Sequence, residues 1–294
     1  MISRTIFITG GTAVESTKGV VAGRAGRGFR GLPGRISAVV LAAAMLLLGA
    51  AGVVSADMRI VEVAEGQRTE TYVKDNRVLV VTPLTATTML QCTTREMTIV
   101  SPVSRTYWQG SFEELQAEME AMVAAFMEAF GGLAAAGGFE DEPVDVRVTR
   151  VGSDNVAGYA AYHYLVETGR DGSWEVFEEI WVSPDLLDEF SREAADCAEL
   201  IREMDVGLAD QLGGGFGTAE IKSVLSSPEY QALTREGYPV RTKTVTNLFG
   251  MVFESVVEVT EVSREPVPES LFAVSADYTR VESFFEIMMD VEEF

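Results

Sequence analysis

Histidine is nearly absent from this chain: among 294 residues there is one, His163. Cysteine is almost as scarce, with Cys92 and Cys197 alone and 105 positions apart. A structural zinc site takes four ligands drawn mostly from these two residue types, so composition points away from a metal centre. The same shortage removes familiar catalytic sets. No G-x-S-x-G elbow precedes a helix. The glycines at 213, 214, 215 and 217 lack the Lys-Ser/Thr of a phosphate loop and read as linker. No nucleophile and base can be paired, so the reading is non-enzymatic, with no cofactor. His163 itself lies in Tyr162-His163-Tyr164 on a predicted strand, on one face with Tyr159, Ala161 and Leu165, and reads as structural.

Positive charge is the other shortage. The chain has 23 Lys and Arg against 45 Asp and Glu, a formal net charge of −22. Six of those cations (Arg4, Lys18, Arg24, Arg27, Arg30 and Arg35) stand in the first 56 residues beside a single acid, Glu15. The remainder therefore holds 17 basic and 44 acidic residues, a net charge of −27. Such a field repels phosphate backbones and anionic headgroups, which excludes nucleic acid as a natural partner.

What the chain does have is one long apolar run. Ile36–Val54 carries no charged residue, follows four arginines, and is followed by Val54-Ser55-Ala56. Basic flank, apolar stretch and small-residue site make a secretory signal. The expectation is a signal peptide over 1–56, cleaved between Ala56 and Asp57, and a mature chain in the periplasm or outside the cell. A lipoprotein is not expected, because Asp57 rather than Cys follows the cut. The run is also long enough to span a bilayer if left uncleaved, and the leader is then the chain's one membrane contact. In an oxidising compartment Cys92 and Cys197 can form a disulfide; Cys197 also lies on a predicted apolar helix stripe, where a buried free thiol is ordinary.

Beyond the leader the periodicity alternates. Arg68–Lys74, Arg77–Val81, Thr87–Cys92 and Glu96–Ser101 read as strands, with Asp75-Asn76 and Thr93-Thr94 as hairpin turns. Ser111 with Glu114 forms a capping box, and Phe112, Leu115, Met119, Met122 and Phe126 then recur at helical spacing up to Gly131. Strands return over Val144–Val151, Gly158–Glu167 and Trp174–Val182. Pro184 opens one helix expected to run past Met204, two short helices follow, and Tyr238–Asn247 and Val252–Ser263 are strands. Strands, helix, strands, helices, strands make an α+β chain with an antiparallel sheet. The domain boundaries are one domain over 57–280 and an amphipathic C-terminal tail over 281–294.

Four motifs in order carry a family resemblance. They are Asn155–Tyr164 (NVAGYAAYHY), Glu179–Leu186 (EIWVSPDL), Gly237–Arg241 (GYPVR), and Leu271–Val274 (LFAV) with Asp277-Tyr278. Together they resemble an uncharacterised family of exported bacterial proteins similar in fold to the LolA/LolB-type lipoprotein carriers. Ser275 stands where that family usually has Pro, and Ala161 where many members have Cys. The resemblance implies an incomplete antiparallel barrel, a half-barrel, with helices covering its open concave side. On it rests the expected function: a periplasmic, non-enzymatic binding or carrier module for an apolar, lipid-like ligand, with Phe112, Met119, Met122 and Phe126 lining the site. The alternative is a structural or regulatory envelope protein that recognises another protein and has no ligand cavity.

Overall fold

In the computed structural model the described residues are 57–82, 86–136, 143–211, 218–248 and 251–290. The leader with Ala56 and the linker glycines at 213–217 lie outside them. Alternating sequence becomes strands: β1 (Met58–Ala64), β2 (Gln67–Lys74), β3 (Arg77–Val81), β4 (Thr87–Gln91), β5 (Glu96–Ser101) and β6 (Thr106–Ser111). Helix α1 (Phe112–Ala136) follows, then β7 (Asp145–Val156), β8 (Tyr159–Arg170) and β9 (Ser173–Ser183). Helices α2 (Pro184–Glu193), α3 (Ala195–Gln211), α4 (Thr218–Ser226) and α5 (Pro228–Glu236) come next. The chain closes with β10 (Tyr238–Leu248), β11 (Met251–Ser263), a 3₁₀ turn at Glu269–Phe272, β12 (Thr279–Arg280) and α6 (Phe284–Asp290).

The turns explain the hairpins. Asp75 and Asn76 take φ of 50° and 56°, and Asp171 with Gly172 takes 51° and 82°. Two successive left-handed residues match the twist of the flanking strands, and Asn, Asp and Gly reach that region at least cost. Each hairpin thus pairs a strand with its successor, and one twelve-stranded sheet results, in the order β12-β6-β5-β4-β3-β2-β1-β11-β10-β9-β8-β7. Every pair is antiparallel except the short β12–β6 contact. The join between the two meanders is non-local: β1 pairs with β11, Arg59 opposite Ser263. The sheet is open, with β7 at one end and β12 at the other.

Two helix boundaries differ from the periodicity. The stripe from Leu187 to Met204 is split at Ala194, whose φ of −148° and ψ of 60° leave helical geometry; α2 and α3 are separate helices. In the other direction, α1 continues through Gly131-Gly132 to Ala136. Leu133-Ala134-Ala135-Ala136 are strong helix formers, and they offset the cost of the two glycines, about 1 kcal/mol each.

Residues opposite one another on neighbouring strands share a face. On one face Ile99 stands opposite Trp108, and Tyr164 opposite Ile180. That face is apolar and buried, and α4 and α5 pack on it. Tyr164, Val166, Ile180 and Val182 pack with Val224 of α4 and Tyr230 and Leu233 of α5. Each such side chain contributes about 1.5–3 kcal/mol on burial. The opposite face carries cross-strand ion pairs, among them Arg147–Glu167, Arg241–Glu258 and Lys243–Glu254.

Candidate functional site

Helix α1 starts where β6 ends because Ser111 and Glu114 cap each other: the Glu114 amide donates to Ser111 Oγ at 3.1 Å, and the Ser111 amide to Glu114 Oε2 at 2.7 Å. This fixes the direction of the stripe. Phe112 and Leu115 are 5% and 6% exposed and belong to the core. Met119 and Met122, one and two turns on, are only half-buried. The side chain of Phe126 lies outside the described residues. The stripe is thus sealed at its start and opens along its length.

The surroundings of this stripe are tied together at its start. Arg95, in the β4–β5 turn, donates to Glu113 of α1 and to Glu203 of α3, both at 2.8 Å, with its guanidinium 5.3 Å from the Phe112 ring centroid. A backbone N–H and then Arg95 hold the Glu113 carboxyl below the usual range. Beside it Cys92 and Cys197 are joined by a disulfide, S–S 2.01 Å, which fastens α3 to the end of β4. The Asn76 amide donates to Glu193 O at 3.1 Å, and the Asp196 amide to Asn76 Oδ1 at 3.3 Å. Two hairpin tips therefore grip the α2–α3 corner.

Glu118 of α1, one position before Met119 and off the apolar stripe, is half-buried. It accepts from Trp108 Nε1 at 3.2 Å, Ser283 Oγ at 2.7 Å and the Phe284 amide at 2.7 Å. Through it α6 is held on the same face, with Ile287 buried and the Phe284 ring edge-on to Trp108 at 6.3 Å. No local pattern signals this contact, since Glu118 and Ser283 are 165 residues apart.

Beneath α4 and α5 the packing is of another kind. Tyr164 donates to Glu236 at 2.5 Å, Thr168 to Glu220 at 2.5 Å, and Tyr230 to the buried Glu178 at 3.2 Å. Burial, and next the hydrogen bond to Glu236, pushes the Tyr164 phenol up to about 12. Polar ties of this sort specify a fixed core.

His163 is on the other face, as period-2 alternation requires. Its ring stacks on Trp181 at 3.9 Å and 8°, and its Nε2 lies 3.2 Å from Glu179 Oε2. Among the described residues no group of three or more His, Cys, Asp or Glu is placed to hold a metal. Asp57 accepts from Lys74 at 3.0 Å and from the Val267 amide at 2.6 Å, which joins the start of β1 to the segment after β11.

No family model and no curated protein matches this chain. Solved structures with overlapping folds include PNGF-II, at 11% identity and a TM-score of 0.34, which covers 81% of this chain and 32% of its own. This chain thus spans about a third of that protein. A DUF1329 family protein from Desulfovibrio piger overlaps at 10% identity and a TM-score of 0.23, covering 80% of this chain and 95% of its own. A LolA superfamily protein from Nitrosomonas europaea overlaps at 10% identity and 0.19, covering 74% and 88%. At these scores the likenesses are low and extend to no function.

Proposed function

We propose that this protein is an exported, non-enzymatic binding or carrier module for an apolar, lipid-like ligand held between α1 and the sheet. In this reading the open sheet is a half-barrel, its concave side is the face that carries Trp108, and α1 lies across it. The observation behind it is the gradient along one stripe: Phe112 and Leu115 buried, Met119 and Met122 half-buried. Methionine is unbranched and polarisable and moulds to irregular apolar shapes, which suits an acyl chain better than a fixed partner. Phe126 continues the stripe in sequence and completes the proposed lining.

A fluorescent fatty-acid probe tests this. The full chain is expected to bind the probe saturably. Met122→Glu is expected to abolish binding with only a modest loss of stability, because a half-wet carboxylate avoids most of the desolvation cost. If the unmutated protein binds no probe and Met122→Glu unfolds it, the stripe is solid core. Recognition of another envelope protein then becomes the better account.

A further inference from the structure

The sheet face opposite Trp108 carries a groove at its β3–β6 end. After β11 the chain crosses β3–β6 as a strap. Arg77 of β3 holds it, donating to both carboxylate oxygens of Glu269 at 2.6 and 2.9 Å, with its guanidinium 4.6 Å from the Phe272 ring centroid. The strap then joins the β6 edge, the Thr279 amide donating to Arg105 O at 2.9 Å and the Val281 amide to Tyr107 O at 2.8 Å. Between strap and sheet runs a groove of about 490 Å³. That is within the range of roughly 300–1,000 Å³ typical of small-ligand sites.

Its lining follows from strand register. Arg77, Gln91 and Glu96 form one cross-strand row, Met89, Thr98 and Gln109 the next, and Tyr107 lies beyond them. Phe272 and Val274 form the wall. Among the described residues, the side chains of Gln91, Thr98, Tyr107 and Gln109 have no hydrogen-bond partner, and all but Gln109 are half-buried. Two amides and two hydroxyls thus face the groove with their bonding capacity unspent.

The chemistry of the occupant can be narrowed by what the lining refuses. Arg77 is the one cation there, and Glu269 and Asp75 already neutralise it, so an anion gains little. The one carboxylate, Glu96, accepts from Thr94 at 3.0 Å. Backbone groups of β3–β6 are spent in the ladder, so no peptide strand can add on this face. An acyl chain would strip water from Gln91, Thr98 and Gln109 and return nothing. Vicinal hydroxyls can both donate to and accept from amide side chains, while the C–H face of a ring packs on Met89 and Phe272. We propose that this groove binds a neutral saccharide of about disaccharide size.

Met89 supplies the reporter. The full chain, labelled with ¹³C at the methionine methyls, is titrated with cellobiose, maltose and N,N′-diacetylchitobiose, the Met89 signal being assigned with Met89→Leu. At least one sugar is expected to move the Met89 methyl saturably with a Kd of about 10 mM or tighter. The Gln91→Ala, Gln109→Ala double variant is expected to weaken that binding about ten-fold or more, as loss of two hydrogen bonds predicts, with the remaining methyl signals unmoved. Thr98→Val, a near-isosteric change, is the check if the double variant does not fold; it too is expected to weaken binding. Three results overturn the proposal: no saturable shift with any of the sugars up to about 50 mM, unchanged affinity in the folded variants, or a Met89 shift produced by decanoate but by none of the sugars.

Discussion

At the scale of single residues the apolar face is held by tyrosine–carboxylate pairs beneath α4 and α5, and by the Glu118 cluster together with apolar contact beneath α1 and α6. Tyr164 makes this difference measurable. Its phenol, ordinarily near 10, is pushed up to about 12 by burial first and Glu236 second. Folding therefore favours the neutral phenol. The stabilisation is complete below pH 10 and is lost as pH rises toward 12. In chemical unfolding across this range, the full chain is expected to exceed Tyr164→Phe in stability at pH 9, with the gap narrowing as pH approaches 12. A gap that stays constant contradicts this role. None of it was legible in sequence: Tyr164 lies on a plain alternating strand, and Glu236 is 72 residues away.

Elements were more legible, and for local reasons. Asp75-Asn76 is a turn because those residues accept left-handed backbone, and Ser111 with Glu114 begins a helix because each satisfies the other's amide. The break at Ala194 was hidden because a three-four apolar stripe runs straight through it. The disulfide is the non-local tie with the largest expected effect on stability. It joins residues 105 apart, and by chain entropy a loop of that length contributes about 4–5 kcal/mol. The double variant Cys92→Ala, Cys197→Ala is expected to lose several kcal/mol in urea unfolding, with α3 the first segment to exchange its amides. A loss below about 1 kcal/mol would mean that the turn contacts of Asn76 and Arg95 hold α3 without it.

For the whole molecule, the strand order shows how much was out of reach of sequence. Meanders were readable as hairpins, but the β1–β11 pairing that merges them into one sheet links positions about 200 apart, such as Arg59 and Ser263, and has no local signature. Nor does the parallel β12, or α6 turning back onto Trp108. The leader is the part of the account that rests on sequence alone. Intact-mass analysis of exported protein is expected to give a chain beginning at Asp57, and a mass that retains residues before Ala56 would instead indicate an uncleaved anchor. The measurement that bears most directly on the carrier reading is lipid extraction and mass spectrometry of protein purified from its native compartment. The account predicts a co-purifying apolar species in stoichiometric amount, absent from Met122→Glu prepared in parallel. Protein that is folded, exported and free of any such species would contradict it.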